Sequence, residues 1–131
     1  GKPKEHWEST FGVKQYWANE IRENGVAPII ANILEQLKEE AIDELYVSFD
    51  IDAIDEAYAS ATGTPEPDGL TPNEAMDILK ALAAQYPITG ADMMEIAPFT
   101  DSSGRGASSS ETTLKVGGEI SAFLIEEMNK N

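Results

Sequence analysis

YVSFDIDAIDEAYASATGTPEPDGL, residues Tyr46 to Leu70, is an apolar run that ends in alternating aspartates and gives way to a loop rich in Gly, Pro and Thr. Tyr46, Val47 and Phe49 favour extended chain, and a strand sends residues i and i+2 to the same face. Read as a strand, Leu45 to Asp50 brings Asp50 and Asp52 side by side, roughly 6–7 Å apart at their Cα atoms. Read as a helix, it would send them to nearly opposite sides. Two carboxylates on one face repel unless a cation or a proton lies between them, and a divalent metal is the simplest way to keep both ionised. Asp-x-Asp alone is not specific, because acidic residues also cap loops and accept from backbone amides. The longer run DIDAID reaches Asp55 but lacks the glycine and the closing glutamate of a calcium loop.

Upstream of this stretch, Ile29, Ile30, Ile33, Leu34, Leu37 and Ala41 follow helical spacing from Val26 onward, with Glu35, Lys38, Glu39 and Glu40 on the other face. The pattern predicts a helix of about four turns. Phe11 to Trp17 alternates imperfectly and is expected to form a first strand, followed by a turn over Glu20 to Gly25, while residues 1–10 read as a lead-in without a period. Downstream, Ile51 to Leu70 is expected to be loop. Thr71-Pro72-Asn73-Glu74 then carries an N-cap, a first-turn proline and a capping-box glutamate, starting a helix through Met76, Ile78, Leu79, Leu82 and Ala83. Pro87 to Ile96 reads as a third strand with Glu95 near its end, stopped by Pro98. Thr100 to Ser110 reads as a Ser/Gly loop, and Thr112 to Met128 as a last helix weakened by Gly117-Gly118. The order β-α-β-loop-α-β-loop-α predicts parallel strands with right-handed helical crossovers. Ligands of such sheets sit beyond the carboxyl ends of the strands, where Asp50, Asp52 and Glu95 all fall.

The 131 residues make one domain. No apolar run approaches the ~20 residues of a membrane span, and no signal peptide is evident. Nine basic residues against 24 acidic ones give a net charge of −15, which argues against nucleic acid or an anionic membrane as partner and suits divalent cations and cationic substrates. Without cysteine there is neither a disulfide nor a thiolate metal site, and the cytoplasm is the expected location. The chain opens on Gly1-Lys2 rather than Met, which points to processing or to a piece of something longer.

SFDIDAID followed by ATGTPEPDGLT, with GADMMEIAP some thirty residues on, resembles the ureohydrolase family of arginases, agmatinases and formimidoylglutamases. The resemblance runs from about Val13 onward. It implies a three-layer α-β-α fold with a parallel sheet, an α/β architecture of which residues 1–131 are the carboxyl-terminal part of a single domain. It also implies a binuclear centre with two Mn²⁺ per complete site, whose bridging hydroxide attacks a guanidino or formimino carbon. By motif, Asp50 is the carboxylate touching both metals and Asp52 a ligand of one, in keeping with the preference of Mn²⁺ for oxygen and imidazole donors. Glu95 is the catalytic-site carboxylate that pairs with the substrate guanidinium, and Thr64 lines the pocket beside it. Glu66-Pro67 and the run from Glu95 to Asp101 look more like agmatinases than arginases. The implied partners are a small guanidino or amidino substrate and, for the full-length protein, a homo-oligomer, trimer or hexamer.

Three departures stand against the family pattern: Glu56 and Asp68 where proline and glycine are usual, a long serine-rich loop after Pro98, and the lack of the family's histidine and Asp-x-His-x-Asp ligands before Asp50. The chain alone is therefore expected to be inactive. His6, the one histidine, reads as a surface residue rather than a ligand. Asp55 reads as a loop organiser; Asp92, on the strand face opposite Glu95, as structural; Met93 and Met94 as core. Trp7, Tyr16 and Trp17 read as packing or oligomer-surface residues, and SSGRGASSS as a weak phosphate cradle because no lysine follows it. Two other readings compete. One is a haloacid-dehalogenase-like Mg²⁺ phosphatase, which also opens on Asp-x-Asp but prefers Thr or Val where Ile54 stands. The other is a non-catalytic half-domain that needs its amino-terminal part.

Overall fold

The computed structural model describes residues 3–59, 68–95 and 107–130, the side chains of Trp7, Phe11 and 107–111 excepted. Helices α1 (Lys4–Phe11), α2 (Ala18–Asn24) and α3 (Val26–Glu39) lead to strand β1 (Leu45–Asp50), α4 (Pro72–Gln85) connects β1 to β2 (Ile88–Met94), and α5 (Ala107–Asn129) follows. β1 and β2 pair in parallel. This is the expected α/β class, with a helix between neighbouring parallel strands.

Each element has a local cause. Thr71 accepts from the Glu74 amide at 3.1 Å and Glu74 accepts from the Thr71 amide at 2.9 Å, so the capping box that starts α4 is complete. Burial works against the Glu74 carboxylate, but the Thr71 amide and the Arg22 guanidinium outweigh it and hold its pKa below the usual value. That ion pair also ties α2 to α4. In β1, Leu45, Val47 and Phe49 turn inward, and Tyr46, Ser48 and Asp50 turn out. Phe49, Ile88, Ala75, Leu79, Val116, Ile120 and Leu124 form the core with Ile51 and Ile54, and Val47, Ala91 and Met93 pack against it. Helices α4 and α5 thus cover one face of the sheet, while the other presents Tyr46, 66% exposed, together with Ser48 and Asp50.

The amino-terminal expectations are corrected. Phe11 ends a helix that Gly12 closes, with the Gly12 amide donating to the Glu8 carbonyl, so the expected lead-in contains α1. Residues 12–17 are irregular rather than a strand. Two of their amides are taken by carboxylates: the Gln15 amide gives to Glu8 and the Trp17 amide to Glu20. A strand would need those groups for a ladder. The expected turn over Glu20 to Gly25 is largely α2, in which Ile21 is buried. Helix α5 begins at Ala107, inside the serine run, and continues through Gly117-Gly118. Met94 is not core: it is 48% exposed. No helix of the described residues is long and apolar enough to cross a membrane.

Candidate active site

Isoleucine and aspartate divide the work in the DIDAID run. After Asp50 the chain leaves the strand and makes one 3-10 turn, Ile51–Ala53. Residues i and i+3 of such a turn point the same way, so Ile51 and Ile54 enter the core with no exposed surface. Asp52, between them, is kept at the surface and half-buried. The Asp50 carboxylate caps this turn, accepting from the Asp52 amide at 2.8 Å. Asp50 and Asp52 are therefore joined through a capped turn, and the strand alternation expected for them stops at Asp50.

The turn is held from the far side of the loop. Ile54 bridges Leu70, the Asp55 amide donates to the Leu70 carbonyl at 2.8 Å, and the Leu70 amide donates to the Ala53 carbonyl at 2.8 Å. Gly69 makes this closure possible, because a Cβ there would lie 2.7 Å from the Asp55 nitrogen and 2.9 Å from the Ala53 oxygen. Asp55 organises the loop, as its sequence context implies: its side chain accepts from the Ala57 amide and its carbonyl from the Tyr58 amide. Thr64 lies outside the described residues.

On the neighbouring strand, the register sets Phe49 opposite Met93 and Asp50 opposite Met94. Glu95 is the next residue, exposed, and its φ of 68° puts it in the left-handed region that non-glycine residues rarely occupy. Asp50, Asp52 and Glu95 thus stand at adjacent strand ends on one edge of the sheet. Asp92 stands on the open face opposite Ser48. Its carboxylate accepts from the Ser48 hydroxyl at 2.6 Å and the Tyr46 hydroxyl at 2.7 Å. The Ser48 bond first, and the Tyr46 bond with it, hold the Asp92 pKa below the usual carboxylate value; the same Asp92 bond, aided by burial, raises that of Tyr46. Residue types alone do not show this cluster. Its signal is the alternation Tyr-Val-Ser on one strand against Gly-Ala-Asp on the other, which requires the register.

The donor set bears on a metal. Asp50 and Asp52 offer the hard oxygen atoms that a divalent cation takes. No group of three or more His, Cys, Asp or Glu side chains stands together among the described residues, so the pair fits part of a ligand shell. His6 lies on α1, away from the strand ends in sequence, and its backbone amide donates to the Pro3 carbonyl at the start of that helix. The cleft of about 300 Å³ between α1 and α3, lined by Lys4, Glu8, Tyr16 and Glu35 among others, includes none of Asp50, Asp52 and Glu95.

Comparison with known proteins is consistent with this geometry. The mitochondrial agmatinase of Gallus gallus is 38% identical over 101 residues, 77% of this chain and 28% of that protein. The mitochondrial guanidino acid hydrolase of Homo sapiens is 36% identical over 96 residues, 73% of this chain and 26% of that one. In three dimensions, the proclavaminate amidino hydrolase from Streptomyces clavuligerus matches 98% of this chain and 39% of its own with a TM-score of 0.69 and 29% identity. The chain thus spans about a quarter of the length of the curated relatives it matches. Nothing in these matches supports a dehalogenase-like phosphatase. The sequence profile of the arginase family covers residues 1–122, and the chain belongs to that family.

Proposed function

We propose that this chain contributes the carboxylate part of a ureohydrolase site, at which a manganese-dependent enzyme hydrolyses a guanidino or formimino C–N bond of a small cationic substrate. The observation that carries the reading is the parallel register of β1 and β2. It brings the Asp50–Asp52 turn and Glu95 to one edge of the sheet in a chain whose relatives include an agmatinase and a guanidino acid hydrolase.

In this reading Asp50 and Asp52 hold the cations through hard oxygen donors. The metal's contribution when bound is an activated water and neutralisation of developing charge. Glu95 accepts paired hydrogen bonds from the substrate guanidinium, the geometry a carboxylate matches best. That contact fixes the orientation of the scissile carbon, and Thr64 lines the pocket beside it. The unusual backbone of Glu95 supports the assignment, since strained residues cluster where side-chain direction matters. A net charge of −15 draws cationic substrates toward the protein. Agmatine is the favoured substrate, on the Glu66-Pro67 motif and the agmatinase relative. For the whole protein we extend the proposal to a cytoplasmic trimer or hexamer.

The same reading makes this chain a half-site. Two carboxylates on one turn do not complete a binuclear shell, and further protein must supply the rest. Urea release from agmatine and from arginine, with manganese in excess, tests both parts on the 131-residue chain. The expected result is no turnover together with weak manganese binding that Asp50→Ala abolishes. Turnover with two tightly bound metals would overturn the half-site, and binding untouched by Asp50→Ala would overturn the ligand assignment.

A further inference from the structure

The two strands that carry the candidate site do not pair evenly along their length. Leu45 is opposite Ile88, yet Tyr46 is opposite Gly90, so β2 takes in one extra residue, Thr89, at its entry. From Tyr46 onward the register is regular to Asp50 opposite Met94. The backbone alone does not choose this register. A parallel ladder has evenly spaced hydrogen bonds, and a slip of two residues returns every side chain to the same face. Such a slip would move Asp50 relative to Glu95 by about 6–7 Å, far beyond the roughly 1 Å at which a displaced catalytic group already loses most of its rate.

Four side-chain positions on the open face favour this register over its neighbours. The Asp92 carboxylate uses both oxygens, Oδ1 for the Ser48 hydroxyl at 2.6 Å and Oδ2 for the Tyr46 hydroxyl at 2.7 Å. To reach Asp92, the Tyr46 ring lies across β2 above Gly90, where a Cβ would fall 2.6 Å from ring atom Cδ2. Shifted by two residues in either direction, the ring would meet a side chain in place of the glycine, and its hydroxyl would have no carboxylate at hand. The neighbouring pairs on the core face, Val47 with Ala91 and Phe49 with Met93, are apolar and tolerate exchange more readily.

We propose that Tyr46, Ser48, Gly90 and Asp92 form a register staple whose role is to set the relative depth of the strand ends bearing Asp50 and Glu95. They are positioning residues and touch no substrate. The naming of what they position rests on the ureohydrolase reading; the staple itself does not.

Residue-resolved amide hydrogen exchange on the 131-residue chain tests the staple directly. In Asp92→Ala, which removes both of these exposed hydrogen bonds, amides bonded between β1 and β2 near Asp50 and Met94 exchange about tenfold faster. Those around Leu79 in α4 keep their wild-type protection. Asp92→Asn, whose amide can still meet both hydroxyls, restores most of the loss. If Asp92→Ala does not fold, Tyr46→Phe, which removes one hydroxyl only, gives a smaller increase confined to the same amides. Unchanged ladder protection, or an equal loss in α4 and the ladder without rescue by Asn, overturns the proposal. Manganese-induced broadening of the Asp52 and Glu95 amides then reports what is positioned: the ratio of the two effects changes in Asp92→Ala if the staple sets their spacing, and an unchanged ratio contradicts that role. A wild-type chain that shows no broadening overturns the proposed metal site, and the exchange pattern alone then decides the staple.

Discussion

Asp92 and Asp50 are both aspartates on the open sheet face, and their partners give them different work. Asp50 accepts a backbone amide at the start of a 3-10 turn, which fixes its orientation and leaves the rest of its carboxylate available to a cation. Asp92 has both oxygens committed to hydroxyls. Its pH behaviour follows from the direction of the two shifts. The folded-state pKa of Asp92 is lowered, so its contribution to stability is present above the unfolded carboxylate value and lost as pH falls through the folded one. That of Tyr46 is raised above 10.0, so its contribution is present below that value and lost as pH rises through the folded one. The stability difference between wild type and Tyr46→Phe, measured by urea denaturation, is therefore expected to be flat from about pH 5 to about pH 9 and to shrink on both sides. A difference that grows in acid would show that the hydroxyl does not bind the carboxylate.

Two glycines make close approaches of different kinds, and substitution should separate them. At Gly69 an added Cβ meets backbone atoms of Ala53, Ile54 and Asp55, none of which can turn aside. Gly69→Ala is expected to lose roughly 2–3 kcal/mol, the upper range for overpacking, and to weaken manganese binding because the turn behind Asp52 shifts. At Gly90 the Cβ meets only the Tyr46 ring, which can swing into solvent. Gly90→Ala is expected to lose less than Gly69→Ala and to mimic Tyr46→Phe in urea denaturation. Among the helices, Thr71→Ala should cost about 1 kcal/mol as a lost cap, and Leu79→Ala, a buried core residue, about 2–5 kcal/mol. A smaller loss at Leu79 than at Thr71 would contradict the core described for α4. These elements also show what a sequence can carry. The box Thr71-Pro72-Asn73-Glu74, the spacing from Val26 and the run Leu45–Asp50 are local signals, and each produced the expected element within a residue or two. Phe11–Trp17 misled because its alternation resembles a strand while none of the described residues forms a ladder with it, and Glu8 and Glu20 take the Gln15 and Trp17 amides instead. Gly117-Gly118 suggested a weak point, but α5 is continuous there. Gly117 is buried, and Thr113, Val116, Ile120 and Leu124 bury enough surface to offset a penalty of about 1 kcal/mol per glycine.

The molecule as described is a two-stranded parallel sheet with helices packed on one face and a candidate site at the strand ends. Its family was legible because SFDIDAID and GADMMEIAP are long motifs, and the match to the arginase family over residues 1–122 agrees. The placing of Asp50 and Glu95 at one edge was legible too, because parallel strands with a helical connection leave their carboxyl ends together. The way Asp52 is held was not, since the end of a strand and the start of a 3-10 turn depend on where Ile51 and Ile54 find the core. Nor was the Asp92 cluster, which exists only once two distant segments are in register. The chain covers 28% of the Gallus gallus agmatinase it resembles; the proposed half-site rests on the two carboxylates of the turn after β1. Titration of Mn²⁺ into the chain, followed by the electron paramagnetic resonance of the free ion, tests the central claim most directly. Weak uptake, in the range expected of two carboxylates in an open turn and lost in both Asp50→Ala and Asp52→Ala, is the predicted result. Uptake that survives both substitutions, or no uptake by the wild-type chain, would contradict it.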